Sequence, residues 1–119
     1  VAKLCRDPQA AVREAAAQAL TQMPEYGHMF SDSVVRLLND RVASVQVAAI
    51  RAIASFGRKG EMYASEVCGL LTSDAVDVQL AAVTALGGMG ARGAACADEV
   101  ADLLGDASAY VREAALLAL

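Results

Sequence analysis

The sequence predicts an all-α chain, an α–α superhelix built from antiparallel helix pairs. Three observations carry that prediction. Residues 45–56, VQVAAIRAIASF, place Val45, Ala48, Ala49, Ala52, Ile53 and Phe56 on one face of a 3.6-residue period. The same face recurs at a spacing of 33 residues: Val45 aligns with Val12, Val78 and Val111, and Ala49 with Ala16, Ala82 and Ala115. Ile53 aligns with Leu20, Leu86 and Leu119, and Phe56 with Met23 and Met89. Turn and core markers keep the same register, with Gly27, Gly60 and Gly93 in one column and Leu4, Leu37, Leu70 and Leu103 in another. A unit repeated without insertion docks each time by the same rotation, which makes a solenoid.

Taken in order, residues 1–5 match residues 34–38 and read as the end of a first helix. Asp7 and Pro8 then open a second helix, Asp as an acceptor for orphan N–H groups and Pro at a first position that has no N–H to lose. That helix runs to about Thr21, where Pro24 stops it and Gly27 closes the turn. The second copy offers helices over 29–38 and 45–56, with Asp40 as the cap between them and Gly57 accepting the left-handed conformation at the end. Arg58 and Lys59 follow and complement the negative end of the helix dipole. The third copy repeats the pattern with helices over 62–71 and from Ala75 to Gly87, and a loop at Gly90, Ala91, Arg92 and Gly93. The fourth has helices over 95–104 and from Ser108 onward. The resulting units are 1–27, 28–60, 61–93 and 94–119, about three and a half repeats in one domain. The chain has no initiator Met and stops inside the fourth copy, so it is expected to be an excerpt of a longer array.

At 56% hydrophobic residues the chain is too apolar for disorder, while only 4% is aromatic. Small side chains let helices approach closely. No run of apolar residues reaches membrane-spanning length without charge, and no signal-peptide pattern is visible. An intracellular, cytoplasmic location is expected, with organelle targeting left open by the missing N-terminus. The net charge of −4 is uneven: residues 1–60 hold 8 Lys/Arg and 5 Asp/Glu, residues 61–119 hold 2 and 9. Such a gradient orients partners or neighbouring subunits. Cys5, Cys68 and Cys96 are odd in number and lack metal-ligand spacing, and their registers are core-like, which suits a reducing compartment.

The unit L-L-x-D-x-x-x-x-V-[RQ]-x-A-A-x-x-A-[LI]-x-x-[MF] resembles a HEAT repeat of the short, Ala-rich, HEAT-like kind, and the resemblance covers essentially all 119 residues. It implies a ladder between units, made by an Asp in the turn and an Arg after the Val of the second helix. Asp7 with Arg13 and Asp106 with Arg112 match. The second copy has Asp40 but Gln46 and the third has Ser73 and Gln79, so the ladder is expected to break in the middle. The first-helix proline of many HEAT units is absent, which predicts straighter helices. The T-P-L-H motif of ankyrin repeats, which share the period, is absent too.

No catalytic constellation is evident, so no catalytic residue, cofactor or metal is expected and the chain reads as a non-enzyme. His28 is the only histidine, too few for a two-His metal site and poor support for a His-based triad. HEAT-like hydroxylases need paired His-Glu motifs, and His28 is followed by Met29. Gly87, Gly88 and Gly90 follow a helix instead of opening one, so they read as a cap, not a phosphate loop. HEAT-like DNA glycosylases use basic, Trp-bearing faces; this chain is acidic and has no Trp, so nucleic acid is not expected as a partner.

The outward positions of the second helices are the informative ones. In HEAT solenoids these face the concave side, and the two middle copies place Val47, Ile50, Val76, Leu80 and Val83 there, flanked by Glu14 and Glu113. Arg13, Arg51 and Arg112 are the candidate polar contacts beside them. This apolar strip is the expected binding site for a protein partner, within a scaffold or adaptor module of a larger assembly. Against it, Ile50 and Val83 also suit packing on neighbouring second helices, as do Ala17 and Leu116. The alternatives are a HEAT-like subunit of an enzyme such as a phycobilin lyase, or a purely structural spacer. The first helices turn Asp32, Arg36, Glu66, Asp98, Glu99 and Asp102 the other way, as a solvated face.

Overall fold

The computed structural model describes residues 3–23, 25, 29–89, 94–105 and 109–118, with the side chains of 104 and 118 left aside. Seven α-helices are present among them: α1 (Ala10–Thr21), α2 (Ser31–Leu38), α3 (Ala43–Ser55), α4 (Ala64–Cys68), α5 (Val76–Gly87), α6 (Ala97–Asp102) and α7 (Ala109–Ala118). No strand occurs among the described residues. Short 3-10 turns cover Leu4–Arg6, Gly57–Tyr63, Gly69–Thr72 and Leu103–Gly105.

The helices form two layers. The second helices make one layer, with α1 packed on α3, α3 on α5 and α5 on α7. The other layer holds the Leu4–Arg6 turn, α2, α4 and α6, where α2 packs on α3, α4 on α5 and α6 on α7. The resulting body measures 39 × 27 × 18 Å.

The core lies between the layers and is the repeated stripe itself. Val45, Val78 and Val111 are fully buried, as are Ala49, Ala82 and Ala115. Leu20, Ile53 and Leu86 fill the next position, opposite Leu37, Leu38, Val67 and Leu71 of the first layer. Phe56 and Tyr63 meet with ring centroids 6.5 Å apart at a tilt of 54°. Burial pushes the Tyr63 hydroxyl up, against the opposing effect of its hydrogen bond with Ser31. The flanks of α1 depart from the stripe: Ala15 is exposed and Val12 and Ala19 are half-buried. Among the described residues, α1 has a second-layer neighbour on one side only.

Every second helix in the first three copies begins the same way. Gln9, Val42 and Ala75 are extended residues with ψ between 118° and 125°, and each carbonyl accepts from the N–H groups three and four residues on. Their own N–H groups donate to a side-chain oxygen two residues back: Gln9 to Asp7 at 2.8 Å, Val42 to Asp40 at 2.9 Å and Ala75 to Ser73 at 3.1 Å. Asp7 and Asp40 therefore close an Asx turn ahead of the helix and do not cap its N-terminus, which corrects the expectation for both. The physical reason is the extra residue between them and the first helical turn.

The turn after α3 follows the sequence closely. Gly57 is left-handed at φ 63°. Gly60 is needed for a different reason: a Cβ there would run into the Ile53 carbonyl. The expected loop over Gly57, Arg58, Lys59 and Gly60 is instead wound as 3-10 helix. Lys59 does not merely sit in the helix dipole but donates to the Glu25 carbonyl at 2.9 Å, tying this turn to the preceding one.

The first helices are less regular than expected. The span 62–71 is divided into 3-10 turn, α4 and a second 3-10 turn. Gly60 and Gly69 lower helix propensity at both ends of it, and short helices rely on packing for what propensity does not supply. The span 95–104 likewise keeps α-helix only over Ala97–Asp102. Pro24, Gly27, His28, the 90–93 loop and Asp106 lie outside the described residues.

Candidate functional site

A groove of about 1030 Å³ runs across the outer face of the second-helix layer, over α1, α3 and α5. The 33-residue register explains it. Glu14, Val47 and Leu80 form one outward row, and Gln18, Arg51 and Thr84 form the next. One turn apart on each helix, the two rows lie side by side across three helices. Small residues keep the floor low, with Ala43, Ala54 and Ala81 lining it and Gly57 and Gly88 at its end.

Apart from Arg13, the sequence-predicted site residues divide into three groups. Val47 and Leu80 are half-buried and Arg51 is exposed, and all three line the groove. Val76 and Arg112 are exposed but do not line it. Ile50 and Val83 are 1% and 0% exposed and belong to the core, as Ala17 does. They sit where one second helix packs on the next: Ile50 still lines the groove, at its buried floor, whereas Val83 does not line it and falls outside the strip. Leu116 shares that register on α7 and is 67% exposed, because no following helix covers it among the described residues.

Arg13 is the clearest correction. It is 8% exposed. Its Nε donates to Asp40 Oδ2 at 2.7 Å and its Nη2 to Asp40 Oδ1 at 3.2 Å. Its Nη1 donates to the carbonyls of Asp7 and Pro8 at 2.8 and 3.1 Å. A guanidinium occupied on all three nitrogens, reaching from one copy to the turn of the next, is a structural tie and not a groove contact. The hydrogen bond to Asp40 raises the Arg13 pKa further above its usual value. Burial pushes the Asp40 carboxyl up, but its hydrogen bonds from Arg13 and the Val42 N–H outweigh this and hold it below its ordinary value.

The next two rungs are replaced. Gln46 Nε2 donates to the Leu38 carbonyl at 2.9 Å and Gln79 Nε2 to the Leu71 carbonyl at 3.1 Å. Each Gln thus braces the turn of its own copy where Arg13 also reaches the following one. The expected break in the ladder is present. The Asp106 end of the last rung lies outside the described residues.

The groove is more polar than the strip the sequence suggested. Glu14, Gln18, Thr21, Ser44, Asp77 and Thr84 contribute to its walls. From the neighbouring row, sequence reasoning named Arg51 but missed Gln18 and Thr84, whose polar side chains carry no signal in an apolar pattern. The first-layer face carries Asp32, Arg36, Glu66, Asp98, Glu99 and Asp102 exposed, as expected.

The cysteines are free. Cys5 is buried in the register of Leu38 and Leu71, and burial pushes its thiol up. Cys68 is only half-buried, less than its register suggested. It lies beside Cys96 and Glu99, a juxtaposition that spacing along the chain did not reveal. No described helix is long and apolar enough to cross a membrane.

Comparison with known proteins agrees with this geometry. The family model for the HEAT repeat matches residues 1–23. Among solved structures, the chain is similar to the crystal structure of an engineered protein, with a TM-score of 0.74 and 20% identity over 98% of this chain. The chain spans 58% of the length of that protein. No curated protein matches it.

Proposed function

From the premise that this chain is a HEAT-like repeat protein, we propose that it is a protein-interaction module that seats a partner segment in the groove over α1, α3 and α5. HEAT repeats generally mediate protein–protein interactions, and the groove is what carries the reading to particular residues. Val47 and Leu80 stand half-open in its middle, Arg51 lies beside them, and Glu14 and Asp77 add acidic groups to the walls. Apolar centre and polar rim is the arrangement that receives an amphipathic helix. Fully burying one such aliphatic side chain contributes roughly 1.5–3 kcal/mol, so the half-buried pair contributes less and shape must supply the rest. The module acts by shape and burial, without catalysis, as part of a larger assembly.

The test is a pull-down from native extract that compares the wild-type chain with a Val47→Glu/Leu80→Glu variant, followed by affinity measurement with the captured partner. Circular dichroism establishes that both are equally helical. Loss of one partner at unchanged helicity supports the groove as the site. An unchanged partner set at unchanged helicity refutes it. A second variant, Arg51→Glu, probes the same surface without touching an apolar residue and is expected to weaken capture of the same partner.

A further inference from the structure

Cys68 is the last residue of α4, and Cys96 is the residue preceding α6. Glu99 lies three positions beyond Cys96, in the first turn of α6. That spacing puts Cys96 and Glu99 on one side of the helix start, where Cys68 meets them. The two sulfurs and a Glu99 carboxylate oxygen all lie within 4.8 Å of one another. Cys96 is buried, Cys68 is half-buried and Glu99 is exposed, so the cluster opens to solvent on its carboxylate side. The repeat does not demand sulfur here. The same register holds Val35 and Ala101 in place of Cys68, and Phe30 and Tyr63 in place of Cys96.

We propose that Cys68, Cys96 and Glu99 bind a Zn²⁺ ion that pins the first helices of the third and fourth copies together. The donor set is two sulfurs and one carboxylate oxygen, leaving a fourth tetrahedral position for water. Thiolates select a soft or borderline cation over Mg²⁺ or Ca²⁺, and the carboxylate favours Zn²⁺ over Cu⁺. With Zn–S near 2.3 Å and Zn–O near 2.0–2.2 Å, tetrahedral ligand atoms stand roughly 3.5–3.8 Å apart. Side-chain rotation of about 1 Å closes the cluster to that size. Binding forms two Zn–S bonds and one Zn–O bond and releases the two thiol protons to solvent, with no change of oxidation state. The exposed carboxylate gives the ion an entry path.

The experiment titrates the whole chain, kept reduced by a non-chelating phosphine, with Zn²⁺ alone and with Cd²⁺ as the spectroscopic probe. One equivalent of either metal is expected to bind, with a thiolate-to-cadmium charge-transfer band and a higher thermal midpoint in Zn²⁺. Cys68→Ser abolishes the band, whereas Cys5→Ser keeps it. Glu99→Gln, at an exposed position that leaves packing intact, weakens Zn²⁺ binding about tenfold or more. The proposal is overturned if the wild-type chain binds no metal, if the band survives in Cys68→Ser, or if Glu99→Gln binds Zn²⁺ as tightly as wild type. It is equally overturned if the reduced chain ignores both metals and the oxidised chain joins Cys68 to Cys96 in a disulfide.

Discussion

Arg13 and Asp40, 27 residues apart, face each other through two hydrogen bonds of 2.7 and 3.2 Å. This pair is the one inter-copy ion pair among the described residues. It joins the start of α1 to the turn before α3, where Asp40 also holds the Val42 N–H. One carboxylate therefore serves both the turn within a copy and the docking between copies.

Replacing Asp40 with Asn is expected to lower the thermal midpoint by about 3–6 °C at neutral pH, since it removes the charge but keeps a turn acceptor. The pH dependence has a definite sign. The folded carboxyl sits below its ordinary value of 3.8, so its stabilisation is present above that value and is lost as pH falls through the folded one. The gap between wild-type and Asp40→Asn melting curves should narrow on acidification across that window. A gap that stays constant would place the Asp40 contribution elsewhere than in its charge.

The two glycines of the α3 turn are expected to behave differently from Gly69. Gly57→Ala forces a Cβ into φ 63° and should cost about 1–2 kcal/mol. Gly60→Ala should cost more, because its Cβ meets the Ile53 backbone, which cannot swing aside. Gly69 has φ −61° and open space around it, so Gly69→Ala is expected to be neutral or stabilising by up to about 1 kcal/mol. Urea unfolding of the three variants checks the order.

Ile50, at the buried floor of the groove, and Val47, half-open on its wall, should respond differently to truncation. Ile50→Ala should destabilise by about 2–5 kcal/mol, because Ile50 is fully buried and the site cannot collapse between helices. Val47→Ala should cost less than about 1 kcal/mol, because Val47 is half-open. Similar losses for the two in chemical denaturation would contradict the assignment of Ile50 to the core.

Gln46 and Gln79 predict matched effects. Each donates to a carbonyl at the end of the preceding helix or turn, Leu38 and Leu71. Gln46→Ala and Gln79→Ala should each cost about 1 kcal/mol, and the sum should hold in the double variant because the two bonds share no partner. Guanidinium melts of the three proteins test both statements.

Much of this architecture was legible along the chain. A 33-residue period with Val, Ala and Leu at helical spacing determines α-helices, their pairing and the stripe that forms the core, because burial of one face leaves each unit no other way to dock. Gly57 was legible too, since few residues other than glycine accept its backbone angle. Only the tertiary structure decided which neighbour each side chain meets. Arg13 was expected in a ladder with Asp7 and beside the strip, yet it is the carboxylate of Asp40 in the next copy that captures it. Ile50 and Val47 differ by three positions and by little in hydropathy, but the approach of α5 buries one and leaves the other open. Cys68 and Cys96 stand in separate copies, and spacing in sequence carries no trace of the packing that joins them. Local periodicity reports which face of a helix avoids water; the distances between faces are set by how the helices stack.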